Sequence, residues 1–516
     1  MPRKPKAKDG LTAGQRAALY EARQAEKIAK MSGAENAVSL KQEQADKVAA
    51  RSLDGSDPPK AEKVLPKPQH ATVRVDFSLD IGEIKPMHGM CNGPVSYGAD
   101  ISELFREIGV PRVRFSGTDT PVSSLAIDIS RIFKNPNADP HDPCSYDFAC
   151  TDRYVSAAYN CGARVMFRLG ESFDRAGIKE VTAPQNFDAW CEVCVNVIKH
   201  YNDYWADGFA FGIEYFEIWG VDPDSRSDIK DKGYELYRKL SGMIKLYDRN
   251  IKVGGMCFDD EDSARDFIRF CRRSHAPLDF ITLSLFESTP VVAANRIRSL
   301  VPILINLGFN ETEIIVGEWA YIAKNVDLST NNARRLMDTA GQDVKKRAHL
   351  FGEQSGIKGA AYALSFMLEA GAISEVGGAH LYDAQPALSP WCPICDPFGA
   401  PQKAFYAFKM FGELYRARRA VYCSSEQTEG YAHSGIYASA TISASGEACV
   451  LISSFEGCGA VDVRLESIPP QLYTAQIYML DGVKNFEEGQ AVQLSGPKKR
   501  LVLSLSEYGA VLIKLF

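Results

Sequence analysis

The chain of 516 residues predicts an α/β fold, a (β/α)8 TIM barrel with a C-terminal β-sandwich. Three observations carry this expectation. From about residue 84, short apolar runs alternate with longer amphipathic ones. The alternation occurs eight times over some 330 residues, which fits a closed barrel better than an open doubly wound sheet. After about residue 420 the helical period gives way to Val-, Ile- and Leu-bearing runs separated by Gly, Ser and Pro.

The candidate strands, in order, are Ile84 to Cys91, Arg112 to Ser116, Arg164 to Leu169, Tyr215 to Trp219, Ile251 to Cys257, Leu278 to Phe286, Glu313 to Tyr321 and Gly359 to Met367. Between them lie amphipathic stretches at Asp100 to Ile108, Phe187 to Trp205, Tyr234 to Tyr247, Ala264 to Arg273 and Ala293 to Leu307. Gln402 to Tyr415 closes the series. Ala448 to Ser453, Ala475 to Leu480 and Arg500 to Leu505 then read as sandwich strands, and the isolated run Thr72 to Phe77 is a candidate to join them. The expected organisation is a tail or linker over 1–70, a barrel over 71–419, with 71–80 a candidate for the sandwich, and the sandwich over 420–516.

Residues 1–70 contain a single aromatic, Tyr20, and hold 14 Lys and Arg against 9 Asp and Glu. The rest of the chain holds 45 against 56, a net of −11, which argues against a nucleic-acid-binding body. No run of eighteen apolar residues exists, and the amino terminus lacks the apolar core of a secretory signal, so a soluble cytoplasmic protein that does not enter a membrane is expected. The 13 cysteines are scattered and odd in number, which fits mostly reduced thiols. Of two CxxC pairs, Cys191/Cys194 falls in a helical pattern as small apolar residues. Cys392/Cys395 falls in a loop and could be redox-active, and the two pairs together could hold a zinc ion if the fold brought all four cysteines near.

A (β/α)8 barrel assembles its site at the carboxyl ends of its strands, so the polar residues closing each run are the candidates. They are Asn92 after strand one, Arg114 on strand two, Arg168 and Glu171 at strand three, Trp219 and Asp222 at strand four, Phe286 and Glu287 at strand six, and Glu318, Trp319 and Tyr321 at strand seven. Two carboxylates on strands facing each other across a barrel are what glycosidic bond cleavage needs, one as nucleophile and one as acid and then base. Trp219, Trp319 and Tyr321 offer flat apolar faces for sugar rings. Arg114 and Arg168 would orient a ligand or Glu318, or close ion pairs inside the barrel mouth. Glu217 shares a strand face with Trp219 and reads as a buried barrel residue. His88 reads as a core histidine, and no His/Asp spacing suggests a metal.

The segments Ile84-Lys85-Pro86-Met87-His88-Gly89, Asn92-Gly93-Pro94, Phe167 to Ser172, His200-Tyr201-Asn202, Trp205 to Phe209 and Tyr215 to Trp219 resemble family 39 of the glycoside hydrolases, whose members include β-xylosidase and α-L-iduronidase. The resemblance runs from about Gly82 to the chain end. It implies a clan A barrel and a retaining glycosidase that needs neither metal nor organic cofactor, acting on a carbohydrate. It also implies that Glu318 holds the nucleophile position.

Where the family motif at strand four reads Trp-Asn-Glu-Pro, this chain reads Trp219-Gly220-Val221-Asp222-Pro223. Asp222 is therefore the provisional acid/base, one methylene shorter than the family's Glu. Family histidines on strands two and six are replaced by Phe115-Ser116-Gly117 and Leu283-Ser284-Leu285. Three readings follow: a retaining enzyme using Asp222, a site in which Glu171 or Glu287 supplies the proton, or a barrel that binds sugar or regulates without cleaving. The sugar, the linkage and a possible homo-oligomer are left open by the sequence.

Overall fold

A computed structural model describes residues 70–96, 99–115, 127–171, 184–220, 227–323, 344–385, 392–426, 435–457 and 459–516. Eight parallel strands close into a barrel: Gly89–Cys91, Arg112–Phe115, Arg164–Leu169, Tyr215–Gly220, Lys252–Phe258, Phe280–Glu287, Glu313–Tyr321 and Val376–Leu381. The last strand pairs with the first through His380 beside Gly89.

Three of the helices between strands start where the sequence supplies caps. The side chains of Asn186, Asp260 and Thr289 accept from the N–H groups of Ala189, Ser263 and Val292, opening helices Phe187–Asn202, Glu261–Ser274 and Pro290–Asn306. Each helix turns an apolar stripe to the barrel, as with Phe267, Ile268 and Cys271 on the second of these. Cys191 and Cys194 are buried on the first.

One strand differs from the sequence expectation. Gly359 to Met367 is helical, part of Ile357–Gly371, and the eighth strand is Val376–Leu381. The run is rich in Ala, Leu and Met, which lose little freedom in a helix. It is apolar nearly all round because it is covered on every side, packing on the helices Pro290–Asn306 and Lys403–Arg416 and on strands of the second sheet. The true strand carries Gly377 and Gly378 and a single β-branched residue, so its pattern is weak.

The second sheet has nine strands in the order Asn485–Gln493, Thr474–Leu480, Tyr508–Leu515, Ala448–Phe455, Ile436–Ile442, Arg419–Glu426, Ala71–Glu83, Gly459–Glu466 and Lys499–Leu505. All neighbours are antiparallel except Ala71–Glu83 with Gly459–Glu466. Val461 and Leu501 near one end share a hydrophobic core with Ile477 and Val511 near the other, so the sheet is folded over on itself as a sandwich. Alternate residues of the central strands, Leu451 and Leu512, point the other way and join the barrel core. The Phe455 ring lies 5.8 Å from that of Tyr362 on the helix Ile357–Gly371.

Candidate active site

Strand seven carries the central residue. Its inner and outer faces alternate regularly up to Val316: Ile315 packs inside with Met166 and Phe280, whereas Ile314 and Val316 pack outside. Between Val316 and Glu318 the pairing with strand six shifts register. Such a bulge re-aims the next side chain. Both Gly317 and Glu318 consequently face the interior, Glu318 with only 5% of its surface exposed.

Arg114, on strand two, spans the interior between two carboxylates. Its Nη1 donates to Oε1 of Glu318 at 2.9 Å, and its Nη2 lies 2.7 Å from Oε2 of Glu217 on strand four. Glu217 also accepts from the Thr282 hydroxyl at 2.6 Å, and the Ser284 hydroxyl donates to Oε2 of Glu318 at 3.4 Å. Burial works against the guanidinium charge, yet the facing Glu217 and Glu318 outweigh it and hold Arg114 well above its ordinary value.

Beside this group, burial drives the Cys91 thiol well up, and Glu318 adds to the effect while Arg114 opposes it. Cys91 is thus a neutral donor, lying 3.1 Å from the Gly317 carbonyl. Gly317 is small for a reason. A Cβ there would stand 3.2 Å from the Cys257 sulfur and 3.3 Å from Arg114 Nε.

The structure brings some expected residues to this centre and moves others away. Asn92 is buried in a left-handed conformation, its N–H bonded to the Arg114 carbonyl at 2.9 Å. Arg168 is buried beside Glu217 in register and pairs with Asp128 at 2.8 Å. Phe286 lies at the mouth, edge-on to Tyr382 at 6.0 Å. Asp222 and the Trp219 side chain lie outside the described residues.

Trp319 and Tyr321 are corrections. Expected as sugar platforms, both point outward from strand seven because they follow the inward Glu318 with the strand's period of two. Trp319, 1% exposed, packs on Phe366 at 4.7 Å and lies parallel to Phe408 at 5.9 Å, beneath the helices. Tyr321 packs on Tyr362 at 5.2 Å. Glu287 is a third correction. It too leaves the interior and is held by Arg296 at 2.8 Å on the helix outside, so it cannot reach a substrate at Glu318. Glu171 accepts from both the N–H and the hydroxyl of Ser130, at 2.8 and 2.6 Å, and so anchors the helix Ile129–Ile132.

Asp383 was not singled out in the sequence. It follows strand eight, is buried, and lies near enough to Cys91 and Cys392 to raise both thiols. Its signal was an acid just past a strand end, hidden because the strand itself was misplaced. Among the described residues, no cluster of His, Cys, Asp and Glu has the arrangement of a metal site. Cys392 and Cys395 sit with their sulfurs 3.7 Å apart in the loop after Asp383.

No family model matches the chain. A β-xylosidase of Geobacillus stearothermophilus is 27% identical over 184 residues, covering 32% of this chain and 35% of that protein. The match therefore spans about a third of the length of that curated relative. A solved glucosidase from Croceicoccus marinus superposes with a TM-score of 0.68 at 19% identity, over 87% of this chain and 99% of that one. The GH39 enzyme of Xanthomonas axonopodis pv. citri superposes with a TM-score of 0.61 at 13% identity, over 89% and 99%. The resemblance carried by the sequence motifs is thus borne out in three dimensions: the chain has the barrel-and-sandwich fold found among family 39 glycoside hydrolases.

Proposed function

We propose that the protein is a glycoside hydrolase that cleaves O-glycosidic bonds of a terminal glycoside or short oligosaccharide with retention of configuration. The observation that carries this reading is Glu318, turned inward by a strand bulge at the carboxyl end of strand seven and held at both oxygens by Arg114 and Ser284. A carboxylate fixed in this way is positioned to attack an anomeric carbon and form a glycosyl-enzyme. Arg114 orients it.

The partner acid needs to stand about 5–5.5 Å away across the scissile bond. Glu217 does not qualify, because the Arg114 guanidinium lies between it and Glu318 and no sugar ring fits there. Glu287 faces outward and Glu171 serves Ser130. Asp222, which follows strand four across the barrel from strand seven, is the acid/base we assign. It would protonate the leaving oxygen and then take a proton from the water that frees the sugar. The chemistry calls for no cofactor. The free thiols at Cys91, Cys191, Cys194, Cys257 and Cys271 fit a reducing compartment such as the cytoplasm.

The test is hydrolysis of a panel of aryl glycosides by the wild type, Glu318→Gln and Asp222→Asn. Glu318→Gln is expected to lose activity on every substrate. Asp222→Asn is expected to lose far more on poor leaving groups than on activated ones, because a good leaving group needs no proton. Sugar binding without turnover in the wild type would replace this reading with a noncatalytic barrel.

A further inference from the structure

The opposite end of the barrel holds a second site. Arg112, Arg164 and Tyr215 begin strands two, three and four, and together with Tyr159, Tyr415 and Pro86 they line a cleft of about 170 Å³. Arg112 is the notable member. The residue is 6% exposed, yet among the described residues no carboxylate forms an ion pair with it. Its Nε donates to Nε2 of His380 at 3.0 Å, its Nη2 reaches the Gly377 carbonyl at 3.3 Å, and its Cζ stands 4.7 Å over the Tyr215 ring. All three partners are neutral, since His380 uses Nε2 as an acceptor and its Nδ1 lies 3.2 Å from the Val316 carbonyl. Of the five N–H groups a guanidinium carries, two are engaged.

The carboxylates nearby do not answer this charge. Glu313 is taken by Lys252 and by the Tyr215 hydroxyl. Glu214 stands on the rim, exposed, together with the exposed Arg164. An isolated charge withdrawn from water is disfavoured unless an opposite charge joins it. Arg112 lines the cleft, and its remaining N–H groups make no hydrogen bond to the described residues.

We propose that this cleft binds a small oxyanion, a carboxylate or phosphate group on a small molecule, with Arg112 as its buried counter-charge and Arg164 closing over it at the rim. A planar fork with free N–H groups matches two oxygens of such a group at once. The tyrosine and proline walls would take a short apolar portion of the same molecule. The proposal is independent of the chemistry at Glu318.

The test is calorimetric titration of the full chain with inorganic phosphate and, separately, with propionate, at constant ionic strength set by chloride. Saturable 1:1 binding of either anion is expected, and the one that binds tells a phosphate from a carboxylate source. Arg112→Gln is expected to weaken it at least tenfold. Arg164→Gln, an exposed change that leaves the fold intact, is expected to weaken it several-fold, and Glu318→Gln not at all. No saturable binding of either anion overturns the proposal. So does binding that survives both Arg112→Gln and Arg164→Gln unchanged.

Discussion

Replacing Arg114 by methionine keeps most of the side chain's volume and removes the one charge shared by Glu217 and Glu318. Both carboxylates are almost fully buried, with side chains 1% and 6% exposed. Breaking a buried ion pair by deleting one partner costs about 3–5 kcal/mol, against a total stability of about 5–15 kcal/mol. Here the deletion also leaves two like charges facing each other. Both effects raise the carboxylates' proton affinity in the folded variant above that in its unfolded chain. The folded variant then binds more protons, so its stability falls as pH rises, by up to about 1.4 kcal/mol per pH unit for each group.

Urea unfolding of the wild type and Arg114→Met at pH 7 and pH 5 would measure this. A deficit of about 3–5 kcal/mol at pH 7 that shrinks by about 2–3 kcal/mol at pH 5 is expected. Arg114→Lys, a point charge able to reach one carboxylate well, should fall between the two. A deficit below about 1 kcal/mol, or one unchanged between the two pH values, would refute the bridging role.

Other outcomes follow from single contacts. Trp319→Phe should leave kcat/KM for any active glycoside within about twofold, whereas Trp319→Ala should cost about 3–5 kcal/mol of stability, because the indole is core; a selective rise in KM would restore it to the site. Gly317→Ala pushes a methyl toward Arg114 and Cys257, so kcat should drop with a stability loss of about 1–3 kcal/mol; unchanged kinetics would show that the neighbours give way freely. His88, buried between Phe411 and Tyr415, has its proton affinity pushed down by burial to about 3. Its folded value lies below the unfolded one, so it contributes a loss of stability as pH falls from about 6.5 toward 3, up to about 1.4 kcal/mol per pH unit. Acid unfolding of His88→Phe should show a correspondingly shallower pH slope, and an identical slope would contradict the assignment.

Seven barrel strands were legible because buried parallel strands leave short apolar runs between amphipathic helices. The eighth was not. A helix buried all round at Ile357–Gly371 looks apolar enough for a strand, and a strand with two glycines at Gly377 and Gly378 does not. Glu318 was legible from its place at a strand end. The adjacent Trp319 misled, since a tryptophan beside a carboxylate suggests a sugar platform while strand alternation sends the two to opposite sides. Arg114 was expected either to orient Glu318 or to close an ion pair, and it does both; that Glu217 is the second partner was out of reach, because Arg114 lies 103 residues from Glu217 and 204 from Glu318 and no local pattern joins them. Arg112 and its cleft were hidden in the same way, by a His380 partner 268 residues on.

The central claim is that Glu318 is the group that attacks the sugar. Incubation with an activated 2-deoxy-2-fluoro glycoside, which slows release of a glycosyl-enzyme more than its formation, followed by mass analysis of the peptides, tests it most directly. The account predicts one added fluorosugar on the peptide containing Glu318 and none in Glu318→Gln. Turnover without any adduct, or an adduct on another carboxylate, would contradict it.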